Sequence, residues 1–71
     1  MDTMNASDIY QPTVANIHNA PTGRWHITPN HLPYLDERGP GYQSEREAIT
    51  AARASGDYTH RIDRRGLPVK L

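Results

Sequence analysis

Two groups of side chains in this chain are of a type that could do chemistry. The first is the four histidines, His18, His26, His31 and His60. Imidazole is both the usual proton-transfer group near neutral pH and the commonest nitrogen ligand for zinc. No two of them stand at the i, i+4 spacing of a helical metal pair, and the chain has no cysteine to complete a mixed site. A hairpin could bring His26 and His31 together, with Asp36 or Glu37 nearby. His60 alternates with apolar positions and fits a half-buried histidine with one satisfied hydrogen bond. No metal site is expected. The second group is basic. From Tyr58 to Leu71 the chain carries Arg61, Arg64, Arg65 and Lys70 against Asp63, a local net charge of +3, whereas the first 22 residues carry only Asp2 and Asp8. A basic ribbon of this kind can enter a major groove or follow phosphates, so these four residues are the candidate nucleic-acid contacts. The competing reading is that arginines at a hairpin tip keep a sheet edge soluble and unpaired. The chain as a whole is neutral, with eight basic and eight acidic residues, which argues against a general polyanion binder.

Catalysis has no comparable support. There is no cysteine nucleophile, no Gly-x-Ser-x-Gly elbow and no glycine loop of the phosphate-cradling type. Gly39-Pro40-Gly41 precedes a helix start, but Glu45 and Glu47 in the first turn would repel an anion there. No catalytic residue and no cofactor is assigned.

The element that must organise these groups is a helix. Ser44 with Glu47 three residues on is a capping box, Ala48, Ile49, Ala51 and Ala52 form a narrow small-residue stripe, and Gly56 can close the helix in the left-handed conformation. Trp25 and Ile27 alternate with Arg24, His26 and Thr28, the period-two pattern of a half-buried strand over Gly23 to Thr28. Pro29-Asn30 follows as a turn, and Leu32 to Leu35 is expected to return as an edge strand, edge because Pro33 cannot donate. Tyr58, His60 and Ile62 alternate in a third strand, with Arg61 on the solvent side. Asp63-Arg64-Arg65-Gly66 supplies a turn, and Leu67, Val69 and Leu71 alternate in a last edge strand. The expected fold is α+β: one helix on a short antiparallel sheet in the order ββαββ, spanning residues 23–71 behind a largely irregular N-terminal arm over residues 1–22. In that arm Ile9, Tyr10, Val14 and Ile17 are apolar, but Pro12 and Pro21 interrupt any long element; Thr13 to Asn19 fits either a short strand or a turn of helix, Val14 and Ile17 standing at a helical spacing. Trp25, Ile27, Leu32, Tyr34, Tyr42, Ala48, Ile49, Ala52, Tyr58, Ile62, Leu67 and Val69 are the expected core.

A chain of 71 residues holds one domain and buries only about 60% of its unfolded surface, so its stability margin is thin. The absence of cysteine favours a reducing, cytoplasmic setting. Met1 to Asn5 lacks the basic and apolar regions of a secretory signal, and no apolar run approaches the roughly 20 residues of a membrane helix.

Gly23-Arg24-Trp25-His26-Ile27, Tyr42-Gln43-Ser44, Glu47-Ala48 and Ala52-Arg53 together resemble a set of small uncharacterised bacterial domains. Their pattern is a Gly-x-Trp-x-Val or Ile strand, an aromatic before Ser or Thr, and a Glu-Ala-x-x-x-Ala-Arg helix; Arg65-Gly66 matches their terminal hairpin. The resemblance covers residues 23 to 71 and implies a fold, with no activity attached. In architecture alone the chain is similar to the arm-type DNA-binding domains of tyrosine recombinases, in which three strands lie in the major groove with one helix behind them. From the residues themselves the expected function is a non-enzymatic binding or interaction module, through an unknown protein partner or self-association. The alternative is nucleic-acid binding through the Arg61–Lys70 hairpin.

Overall fold

The structure, a computed structural model, describes residues 13–71. It is α+β, one helix on a four-stranded sheet: β1 (Val14–Asn19), β2 (Trp25–Pro29), α1 (Glu45–Ser55), β3 (His60–Ile62) and β4 (Pro68–Lys70). The sheet order is β2-β1-β3-β4. Strands β1 and β2 form an antiparallel hairpin, β3 runs parallel to β1, and β4 returns antiparallel to β3. The order of elements is the one expected, but two of them differ, and the sheet is mixed rather than the antiparallel one expected, because the β1-to-β3 connection through the helix brings those two strands together in parallel.

Val14–Asn19, assigned above to an irregular arm reaching residue 22, is a central strand with a neighbour on each side. The eight residues between Pro12 and Pro21 leave room for a six-residue strand, and its weak alternation comes from a small residue, Ala15, at the one position that is fully buried. Ile9 and Tyr10 lie outside the described residues. The expected return strand Leu32–Leu35 does not form. The chain there is turn and bend, and Tyr34 and Leu35 are more than half exposed. Pro33 lacks an N–H, and the edge of β2 is met instead by Tyr42, which exchanges two backbone hydrogen bonds with Trp25 (2.8 and 2.7 Å).

Helix α1 starts and stops where its signals stand. Ser44 is extended (φ −144°, ψ 162°) and its hydroxyl accepts from the Glu47 N–H at 3.1 Å; Gly56 closes the helix at φ 75°. Ala15, Ala48 and Ala52 are each wholly buried, and α1 packs on β1 and β2. The helix therefore lies close against the face bearing Ala15, Ile17, Trp25 and Ile27, the placement that makes the β1-to-β3 crossover right-handed. The core is accordingly made of alanines and half-buried larger residues. Tyr34, Tyr42 and Leu67, expected inside, are exposed.

The β3–β4 turn is built by Asp63. Its Oδ1 accepts from the N–H groups of Arg65 and Leu67, both at 2.9 Å, while the Gly66 N–H reaches the Asp63 carbonyl at 3.0 Å. This is the local side-chain bonding that makes aspartate a turn former.

Candidate functional site

The sheet face away from α1 carries Val14, Asn16 and His18 on β1 and His26 and Thr28 on β2, because β1 and β2 pair His18 with His26 and Asn16 with Thr28. Over the β1–β2 half of this face lies the segment from Asp36 to Gly41. Its anchor is Thr28, which is 1% exposed. The Thr28 Oγ1 accepts from the Asp36 N–H at 2.8 Å, lies 3.2 Å from the Asp36 carbonyl, and meets His18 Nε2 at 2.8 Å. The His18 and His26 rings stack, with centroids 6.2 Å apart and planes 22° from parallel. His18 Nδ1 is buried without a hydrogen-bond partner; Glu37 Oε2 is 3.4 Å away, close enough for attraction but not aligned as an acceptor. The His18 tautomer sets whether Nε2 donates to the Thr28 hydroxyl or accepts from it.

One arginine fastens the far end of the segment and another braces it from within. Arg24 donates from Nε to the Pro40 carbonyl (2.9 Å) and from Nη2 to the Gly41 carbonyl (3.3 Å). Arg38 grips Asp36 with two hydrogen bonds, Nε to Oδ1 at 2.9 Å and Nη2 to Oδ2 at 3.0 Å, and its backbone N–H also donates to Oδ1. These bonds hold the Asp36 carboxyl at a pKa of about 2, the side-chain bond from Arg38 contributing most. Gly41 sits at φ +68°, and a Cβ there would come within 2.8 Å of the Trp25 carbonyl oxygen and 2.9 Å of His26 Nε2. Only glycine fits between the segment and β2. Beside this crossing lies an open cleft of about 590 Å³, lined by His26 and Ile27 on one side and Asp36, Arg38 and Gly39 to Tyr42 on the other.

The histidine that meets His26 is thus His18, not His31, which is exposed in the turn after β2. His60 bonds Thr59 Oγ1 through Nδ1 at 2.8 Å. Among the described residues no three His, Asp or Glu side chains are grouped to hold a metal ion.

The basic residues are only partly brought together. Arg61, Arg64 and Arg65 line one cleft with Glu45 and Asp63. The Arg64 and Arg65 side chains are 91% and 81% exposed, and their nearest carboxylate oxygens, on Glu45 and Asp63, stand at 3.7 and 3.8 Å. Lys70 is elsewhere: it pairs with His60, on the face opposite that of Arg61 and Val69. Arg61 also departs from expectation, since its register with Ala15 and Val69 places it on the helix-bearing face rather than the other. Parallel pairing of β3 with β1 through Val14 and His60 sets this parity.

No helix among the described residues is long and apolar enough to cross a membrane. Comparison of the chain with protein-family models, with curated proteins and with solved structures finds no match.

Proposed function

We propose that this chain is a non-enzymatic binding module that engages a protein partner or a second copy of itself in the cytoplasm. The observation that supports this reading is the outward placement of large apolar side chains on so small a body. Tyr34, Leu35 and Leu67 are 57%, 53% and 53% exposed, and Tyr42 is 37% exposed, while the wholly buried apolar positions are alanines. A domain this short gains little by leaving such surface in water unless something covers it. Several of the polar groups that could do chemistry are engaged in the fold: His18 Nε2 and the Asp36 backbone converge on Thr28, and Arg38 on the Asp36 carboxylate.

A second reading, nucleic-acid binding, is favoured by the common cleft of Arg61, Arg64 and Arg65 and by the loose pairing of the last two. Glu45 and Asp63 in the same cleft offset most of its charge, and Lys70 adds to it from a different face. An amide-resolved NMR series decides between the two. The chain is diluted and concentrated alone, then titrated with a mixed-sequence DNA duplex and an RNA hairpin at low and moderate salt. The binding-module reading expects concentration-dependent or protein-dependent shifts at Tyr34, Leu35 and Leu67, with no response to nucleic acid at moderate salt. Salt-sensitive shifts centred on Arg61, Arg64 and Arg65 would overturn it in favour of nucleic acid.

A further inference from the structure

Among the described residues the outer edge of β2 is closed at both ends and open in the middle. The Asn30 N–H donates to the Val14 carbonyl, which shows that Val14, and by alternation Asn16 and His18, point their backbone groups at β2. Their partners Thr28 and His26 face inward, so Trp25, Ile27 and Pro29 face outward. Tyr42 takes both backbone groups of Trp25, and the Leu32 N–H takes the Pro29 carbonyl at 3.1 Å. Between them, the N–H and C=O of Ile27 have no partner among the described residues. The cause is in the sequence. Continuing the antiparallel register from Trp25–Tyr42 sets Pro40 opposite Ile27. Pro40 has no N–H to give, and its carbonyl is drawn away by Arg24 Nε at 2.9 Å. Ile27 therefore borders the 590 Å³ cleft with both backbone groups free.

A second observation points to the same place. His26 is only 6% exposed and lines the cleft beside Ile27, yet neither of its ring nitrogens has a hydrogen-bond partner among the described residues. Unlike His18 Nδ1, neither is closed off from solvent, so the ring can meet a group that enters the cleft.

We propose that this cleft is a binding site for one extended peptide residue, whose N–H donates to the Ile27 carbonyl and whose carbonyl accepts from the Ile27 N–H, with His26 able to bond a polar atom beside it. This is strand addition reduced to a single residue, because Tyr42 and Leu32 stop the ligand strand on either side. The ligand is an exposed loop or chain end of another protein rather than a long strand. The inference rests on the binding-module reading and gives that module one of its docking points.

The test begins with the free protein. Amide exchange at Ile27 should run about ten times faster than at His26 and Thr28, whose N–H groups face β1. Blocked tripeptides, N-acetylated and ending in an N-methylamide, with an apolar, aromatic, acidic or basic central residue, are then added up to about 10 mM, a range in which a few hydrogen bonds still register. The expected result is a downfield shift of the Ile27 amide, the largest in the spectrum, with His26 ring signals moving alongside. Methylating the central amide nitrogen of the peptide should remove the Ile27 response. Pro40→Ala, which restores a donor opposite Ile27, should slow Ile27 exchange and weaken the response several-fold. Slow exchange at Ile27 in the free protein, or no peptide shift there, overturns the proposal. Peptide shifts at Tyr34, Leu35 or Leu67 with Ile27 still would remove this site while leaving the binding-module reading intact. Ile27 shifts that follow protein concentration without peptide would assign the cleft to a second copy and overturn the peptide assignment.

Discussion

Replacing Thr28 by Val tests how the second layer of this domain is held. Valine keeps the branched shape, so packing around the side chain changes little, but the hydroxyl is lost. In the native structure that oxygen accepts from the Asp36 N–H at 2.8 Å and bonds His18 Nε2 at 2.8 Å, in a position 1% exposed. The variant leaves a backbone donor and a ring nitrogen facing a methyl group. A buried polar group stripped of its partner costs about 1–3 kcal/mol. Relaxation of the Asp36–Gly41 segment, which lets water reach one of the two, brings the expected total to about 2–3 kcal/mol. Against a total stability of about 5 kcal/mol for a small domain this is about half. With a urea dependence near 1 kcal/mol per molar, the unfolding midpoint should fall by about 2 M. Thr28→Ser, which keeps the oxygen and loses a methyl, should cost only about 1 kcal/mol. The assay is urea unfolding followed by Trp25 fluorescence, with Asp36 amide exchange as a local readout. If the valine variant unfolds within about 0.3 M of wild type while the serine variant does not, the hydroxyl is not the anchor and the account of this face is wrong.

Four further outcomes follow from the geometry. Gly41→Ala places a Cβ 2.8 Å from the Trp25 carbonyl at a positive φ, and should cost about 2 kcal/mol or more in urea unfolding; unchanged stability would show that the segment can move off β2 freely. The Asp36 carboxyl is held at about 2, below its unfolded value of about 4. Its ion pair with Arg38 thus contributes fully above about pH 4 and is lost as the pH falls through about 2. Because the pair is exposed, salt should weaken it. Arg38→Ala should return the Asp36 titration, followed by its carboxyl carbon resonance, toward the ordinary range. Reversing Arg64 and Arg65 to Glu should leave the thermal melt within about 0.5 kcal/mol of wild type, since both side chains are exposed and loosely paired. The same change should abolish any affinity for DNA or RNA; surviving affinity in a binding assay would place nucleic-acid contacts elsewhere. Ile49→Asp puts a charge beside the buried Ala48 and Ala52 and should remove the cooperative melt, whereas a retained melt would mean that α1 is rotated from its observed face.

How much of this was legible depended on whether the deciding interaction was local. Ser44 and Gly56 act on their own few neighbours, so α1 was readable to the residue. Asp63 bonds the N–H groups of Arg65 and Leu67 within four residues, so the last hairpin was readable too. Strand β1 was not, because Ala15 and Asn16 carry little strand signal by themselves and gain their place only by pairing with β2 and β3. Leu32 to Leu35 misled in the opposite sense: its apolar alternation is real, but Pro33 and the occupation of the β2 edge by Tyr42 leave it no ladder to join. The side on which Arg61 lies is fixed by a parallel pairing across more than forty residues, and no pattern within His60–Ile62 reveals it.

The candidate site was hidden for a related reason. On β2, His26 and Thr28 occupy the polar half of the alternation, which ordinarily faces water. They are instead among the most buried side chains in the described structure. With alanines at the helix contact, α1 lies close to the sheet and the apolar layer stays thin, so burial on the opposite face has to come from a loop. A loop brings backbone polar groups with it, and these need partners. Thr28 and Arg24 meet that need at the Asp36 backbone and at the carbonyls of Pro40 and Gly41, and the Asp36 carboxylate takes the Arg38 N–H. Pro40 is where the arrangement falls short, since it cannot donate to Ile27. The same loop that lets so small a chain bury a second face therefore leaves one backbone pair without a partner among the described residues at its margin, beside the imidazole of His26 that lines the cleft. A fold that must close its face with polar groups is open at the point where one of them is missing.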